Sequence, residues 1–280
     1  CNHGFHFGHL KVGCHGHPSP LSLVPAIATS CNGYFCWGLY YMFGNKKKYG
    51  SVQNAMTRWK DYMVSMGFGY KLGIDLPGEA DSLYFSEDEL NIVELATSSF
   101  GQNFSITPIQ MITAIAAVAN GGYLVQPHVV DRMLDSDGNI VKTTDTSYKR
   151  QVISEDVSKR MTAILQKNAT SESGKNGYVA GYRVAGKTGT SEKVALYYQD
   201  LAEGNDRGMQ YVVSYGGYAP ADDPQYALLV FYDEPQIGGA SGGTQAGPIF
   251  AAIMEEVLPY LGVDPQYTES EYENLSATAP

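Results

Sequence analysis

Apolar and small residues recur at helical spacing from Leu21 to Tyr41, interrupted by Ser30, Cys31 and Asn32, so the pattern predicts a helix, a short break and a second helix. Residues 51–67 continue in helical style, and the turn-rich run from Gly67 to Gly78 (GFGYKLGIDLPG) closes that segment. A third helical signal follows. Thr107, Pro108 and Gln110 supply an N-cap, a proline at the first helical position and a capping-box glutamine, and Asn120, Gly121 and Gly122 supply the stop. The small residues of MITAIAAVA between them predict a helix buried on most sides.

Beyond Gly122 the periodicity shifts towards strands. Asp135 to Asn139 (DSDGN) resembles the opening of a calcium loop, but its glycine comes too early and Thr146 stands where the closing glutamate is required, so a hairpin turn is expected. Ser154 is expected to cap a helix running to about Asn168. Three strand-forming runs follow Gly181: YRVAGKTGTSEKV, MQYVVSYGGYAP and QYALLVFYDE, the last two separated by Ala221 to Pro224. Gly247 to Tyr260 reads as a helix able to lie back on the resulting sheet. Helices, then strands, then a helix predict an α+β fold with an antiparallel sheet flanked by helices and a helical lobe. The expected division is a single domain over 1–265, with 1–120 mainly helical and 121–265 bearing the sheet, and a polar tail over 266–280 that frays.

Composition narrows the partners. With 280 residues, 44% of them hydrophobic, the chain can bury a full core, and its net charge of −10 argues against nucleic acid. Lys46, Lys47 and Lys48 form the only basic run and read as a solvated loop. No apolar stretch reaches the roughly 18 residues a membrane span needs, and no leader pattern opens the chain, so any anchor is expected upstream of Cys1.

Two motifs carry the chemistry: Ser30-Cys31-Asn32 at the helix break, and Lys187-Thr188-Gly189-Thr190 in a strand that two further strands and a helix follow. Their order resembles the transpeptidase domain of penicillin-binding proteins, with its S-x-x-K, S-x-N and K-T-G set. GIDLPG at 73–78, Phe100-Gly101-Gln102, TPIQM at 107–111, ANGG at 119–122, YAPADDP at 218–224 and the glycine-rich run before Pro248 extend the likeness. The variant is similar to the class B, monofunctional proteins of Gram-positive septal or spore wall synthesis.

The resemblance implies a penicillin-binding, β-lactamase-like fold and assigns roles. Lys187 would place positive charge near the substrate carboxylate, Thr188 and Thr190 would hydrogen-bond it, and the Thr190 N–H would form half of an oxyanion hole. Gly189 would leave room for the acyl donor, Ser30 would relay a proton to the leaving amine, and Asn32 would hold the donor's amide. The family's nucleophile motif is missing. No serine has lysine three positions later; Thr57 with Lys60 and Thr190 with Lys193 have the spacing but the wrong residue. S-x-x-K is therefore expected upstream of Cys1, and the chain as given is expected not to acylate.

All four cysteines and five of the six histidines lie within the first 36 residues. Cys14-x-x-His17 has metal-ligand spacing, and Cys31 is the middle residue of the S-x-N motif. A structural, tetrahedral zinc held by Cys1, Cys14, His17 and Cys31 is expected, with His15 as substitute for His17. A Cys1–Cys14 disulfide and free thiols remain the alternatives. Cys36 is expected to be a packed core thiol.

The resemblance implies a serine-type D,D-transpeptidase acting on peptidoglycan stem peptides, open to β-lactams, and working at the outer face of the cell membrane with a glycosyltransferase partner. A non-catalytic β-lactam or peptidoglycan sensor is the alternative from another class. A β-lactamase ranks below both, because no carboxylate motif is seen that would activate a deacylating water.

Overall fold

The computed structural model describes residues 5–7, 10–14, 17, 22–43, 51–81, 91–170, 174–236 and 239–268. Cys1, His15 and the Lys46–Lys48 run lie outside them. The N-terminal segment carries a short antiparallel hairpin of Phe5–Phe7 (β1) and Leu10–Val12 (β2).

The helical lobe follows the apolar pattern. Leu23–Ala28 (α1) and Asn32–Phe43 (α2) flank the break at Ser30, and Val52–Ser65 (α3) begins where Ser51 Oγ accepts the Asn54 N–H at 3.1 Å. Ile92–Ser98 (α4) has a capping box of Asn91 and Glu94, a helix the apolar pattern did not reveal. Leu39, Ala55, Met56 and Leu95 from α2, α3 and α4 form one small core with Phe43 and Trp59 at its rim.

Pro108–Ala119 (α5) forms as predicted: Thr107 Oγ1 accepts from the Gln110 N–H, and the Gln110 side chain accepts the Thr107 N–H at 2.9 Å. Only Pro108 of this helix is exposed. Gln110, buried, also donates to the Tyr70 carbonyl at 2.7 Å and so joins α5 to the turn-rich stretch before it. That stretch is structural: Asp75 accepts the Val129 and Val130 N–H groups at 2.7 and 2.9 Å, which holds its carboxyl below the usual range.

Tyr123–Val125 (β3) pairs with Tyr148–Gln151 (β6), and Arg132–Leu134 (β4) with Ile140–Thr143 (β5) around the DSDGN turn, a hairpin as predicted. Ser154 caps Glu155–Ala169 (α6) through the Val157 N–H. Ala185–Glu192 (β7), Tyr211–Ala219 (β8) and Tyr226–Asp233 (β9) form an antiparallel sheet in that order. Between β7 and β8 the chain inserts a further helix, Val194–Ala202 (α7), where the sequence pattern suggested only a connection.

Gly242–Tyr260 (α8) lies across this sheet and starts five residues before the predicted Gly247. The main core joins α6, β8, β9 and α8, with Tyr215 and Phe250 in ring contact at 4.7 Å. The fold is the expected α+β arrangement. At the start of the tail the Gln266 N–H donates to the Gly181 carbonyl at 2.7 Å, and the Tyr267 hydroxyl donates to the Tyr182 carbonyl. Residues 269–280 lie outside the described residues.

Candidate active site

The break between α1 and α2 is a Schellman motif. The Cys31 N–H returns to the Ala26 carbonyl at 2.9 Å and the Ser30 N–H to the Ile27 carbonyl at 3.1 Å, which closes the end of α1. This places Ser30 in the left-handed region, at φ 49°. Glycine suits that position best, since a side chain there costs about 1–2 kcal/mol. The hydroxyl has a use: it accepts a hydrogen bond from the Lys187 ammonium, 157 positions later.

Lys187 comes from β7, an edge strand of its sheet among the described residues. Its Nζ also donates to the Thr188 carbonyl at 2.9 Å and the Thr188 hydroxyl at 3.3 Å. Among the described residues no carboxylate joins these contacts, and burial pulls the lysine down to about 8. A positive charge held at a strand edge by neutral oxygens is suited to meet an anionic ligand.

Thr190 is exposed, and its hydroxyl accepts the Gly242 N–H at 3.2 Å, so the first turn of α8 is tied to the motif strand. Gly189 has a packing reason as well as the expected steric one: a Cβ there would lie 2.5 Å from Ser214 Oγ. Asn32 donates to the Gly13 carbonyl at 3.3 Å, tying the S-x-N turn to the N-terminal segment.

Sequence reasoning did not assign contacts to the far end of β7. Ser191 Oγ donates to the Gly101 carbonyl at 3.3 Å, and the Gln102 amide, oriented donor to acceptor, pairs with both backbone groups of Glu192 at 3.2 Å. The Phe100-Gly101-Gln102 run thus closes that end of the strand. Lys193 bonds Asp233 at 2.5 Å and Glu234 at 2.7 Å, while Arg207 holds the buried Asp200. These pairs fasten α7 and its loop beside the site, and they engage Lys193, the partner in the Thr190–Lys193 spacing.

Cys14, His17 and Cys31 converge: one donor atom from each lies within 4.8 Å of the others. Cys14 Sγ is 3.0 Å from His17 Nε2 and 3.6 Å from Cys31 Sγ, while Cys31 is fully buried. The Cys14 thiol is lowered; burial opposes this, but hydrogen bonds from Cys31, Gly33 and His17 outweigh it. Burial raises the Cys31 thiol and pushes Cys36, packed with Val12 and Ala96, up to about 11. Cys36 is the core thiol the sequence suggested.

Residues 6–255 match the family described as penicillin binding protein transpeptidase domain. Among curated relatives, Stage V sporulation protein D of Bacillus subtilis (strain 168) is 40% identical over 211 residues, covering 75% of this chain and 32% of the relative. Peptidoglycan D,D-transpeptidase FtsI of Escherichia coli (strain K12) is 30% identical over 206 residues, covering 73% and 32%. The chain therefore spans about a third of the length of these relatives. Among solved structures, the TP domain of Burkholderia pseudomallei penicillin-binding protein 3 superposes with TM-score 0.74 at 26% identity, over 95% of this chain and 72% of that one.

Proposed function

The chain belongs to the penicillin-binding protein transpeptidase domain family, and from that premise we propose that it supplies the substrate-holding side of a peptidoglycan D,D-transpeptidase of class B. In this reading a serine of an S-x-x-K motif, outside the 280 residues, attacks the penultimate D-alanyl carbonyl of a stem peptide. The terminal D-alanine leaves, and the acyl-enzyme passes to the amine of a second stem. β-Lactams would acylate the same serine.

The observation that carries the proposal is the meeting of Ser30 with Lys187 on the edge of β7. The Lys187 charge and the Thr188 and Thr190 hydroxyls face the position of a substrate carboxylate in this reading. Ser30, hydrogen-bonded to Lys187, is placed to pass a proton to the leaving amine. A structural zinc at the Cys14–His17–Cys31 cluster fits the same reading as a staple of the Ser30–Asn32 turn, outside the chemistry.

A role in spore or septal wall synthesis, attachment to the outer face of the cell membrane and a glycosyltransferase partner belong to the proposal too. No helix among the described residues is long and apolar enough to cross a membrane. The test is covalent labelling with a fluorescent penicillin. The 280-residue chain should not label, whereas the longer protein containing it should label at an S-x-x-K serine. Reversible ligand binding without acylation in the longer protein would replace the enzyme with a sensor.

A further inference from the structure

Side chains close the open edge of β7 at both ends. The Gln102 amide takes the N–H and the carbonyl of Glu192, each at 3.2 Å. These groups point away from β8, because the opposing Tyr211 turns its own carbonyl the other way, to the Glu234 N–H at 2.9 Å. Antiparallel alternation then turns the backbone groups of Gly186, Thr188 and Thr190 outward as well. The Asn168 amide donates to the Gly186 carbonyl at 2.6 Å, and Lys187 Nζ to the Thr188 carbonyl at 2.9 Å. Among the described residues nothing bonds the outward N–H and carbonyl of Thr190. An extended peptide can therefore exchange a pair of backbone hydrogen bonds at Thr190, and its next partner along the strand is already taken by Gln102.

This short slot carries opposite charges at its ends. Lys187 lies at one end, and the exposed Glu192 at the other. The neighbouring cations Lys193 and Arg207 are held by Asp233, Glu234 and Asp200, so neither neutralises Glu192. Five strand steps separate Lys187 from Glu192, roughly 17 Å. A peptide running antiparallel to β7 places its terminal carboxylate towards Lys187 and its preceding residues towards Glu192. Three extended residues cover roughly 10 Å, and a long side chain on the first of them can cover the rest.

We propose that Glu192 is a specificity-determining residue that selects stem peptides whose residue before the two terminal D-alanines carries a free, positively charged amine. Gln102 is its positioning residue, because it fixes the Glu192 backbone and leaves the carboxylate to the ligand. The proposal rests on the transpeptidase reading and adds the class of acyl donor to it.

The experiment uses the longer protein, which carries the S-x-x-K serine, with two probes: Nα-acetyl-L-lysyl-D-alanyl-D-alanine and the same peptide acetylated on the lysine amine as well. Each competes with a fluorescent penicillin, and the concentration that halves the labelling rate is measured. The free-amine peptide should be effective at a concentration roughly threefold lower, the scale of one solvent-exposed ion pair. Raising the salt from about 0.05 to about 0.5 M should bring the ratio towards one. Glu192→Gln should abolish the preference, Glu192→Lys should reverse it, and Glu203→Gln, an exposed carboxylate at the end of α7, should leave it in place. A parent protein that labels with penicillin but treats both peptides alike overturns the proposal alone, as does a preference that survives Glu192→Gln. No penicillin labelling in the longer protein would instead overturn the transpeptidase reading beneath it. The parent ratio and its salt dependence decide the matter even if a variant does not fold.

Discussion

The Lys187 ammonium donates to the Ser30 hydroxyl, joining an edge strand to a helix break across 157 positions of sequence. Ser30 holds this place in a left-handed conformation that glycine adopts more readily. Replacing it by glycine or alanine removes the same hydroxyl, so the difference between the two variants isolates the backbone term. Ser30→Gly should be more stable than Ser30→Ala by about 1 kcal/mol in denaturant unfolding, the ordinary penalty for a side chain in the left-handed region. Equal stabilities would mean that the turn relaxes out of the left-handed region when the hydroxyl is lost.

In the longer protein, both Ser30→Ala and Lys187→Ala should slow penicillin labelling by about 100-fold, the usual scale for removing a proton-transfer or charge-stabilising group. Far-ultraviolet circular dichroism should stay unchanged, because neither side chain belongs to the buried core clusters. Labelling at the original rate in Lys187→Ala would remove the lysine from the site.

Burial lowers Lys187 to about 8 from an unfolded value near 10.5. The unfolded chain therefore binds the extra proton more tightly between these values, and this group makes folding more favourable as pH rises through that window. Lys187→Met removes the contribution. The melting temperature of Lys187→Met relative to the parent chain should be highest near pH 7 and should fall steadily towards pH 10.5. A difference that does not vary with pH would show that the lysine is not held down by burial.

What could be read in the sequence was mostly local. The Thr107–Gln110 capping box, the DSDGN turn and the Ser154 cap are satisfied by groups three or four positions away, so their residue types announce them. Ser30 and Lys187 were found by motif, but their contact depends on how the lobes pack. The early start of α8 was hidden for a physical reason. Gly242 and Gly243 look like loop residues, yet a Cβ on Gly242 would lie 2.2 Å from the Ser214 carbonyl oxygen and 2.4 Å from that of Gly189. Gly242 is a glycine because the helix begins against the sheet. Helix α7 was missed because ion pairs outside helical spacing hold it: Arg207 with Asp200, and Lys193 with the distant Asp233 and Glu234.

Those ion pairs differ in environment. Asp200 has a 6% exposed side chain and both its carboxylate oxygens meet Arg207, whereas Asp156 and Arg160 are exposed at 75% and 72%. Removing Arg207 leaves a buried carboxylate without that partner; removing Arg160 leaves a solvated one. Arg207→Ala should lower the melting temperature by several degrees, and Arg160→Ala should change it by about one degree at most. Equal shifts would show that α7 is not fastened by this pair.

The close approach of β7, β8 and α8 gives a sharper test through two glycines. A Cβ on Gly189 would meet only Ser214 Oγ at 2.5 Å, with Ser214 Cβ at 3.9 Å, whereas a Cβ on Gly242 would meet two backbone carbonyls. A side-chain oxygen can be removed by mutation and a backbone oxygen cannot. Gly189→Ala should cost about 1–2 kcal/mol, and Ser214→Ala in the same chain should recover most of the loss, because ordinary van der Waals contact replaces the clash. Gly242→Ala should cost about 3 kcal/mol and should not be rescued by Ser214→Ala, since the whole first turn of α8 must move and carry its N–H away from Thr190. Denaturant unfolding of the five variants, three single and two double, beside the parent chain supplies both double-mutant cycles. Rescue of Gly242→Ala, or none for Gly189→Ala, would mean that α8 begins on the sheet differently from the packing described.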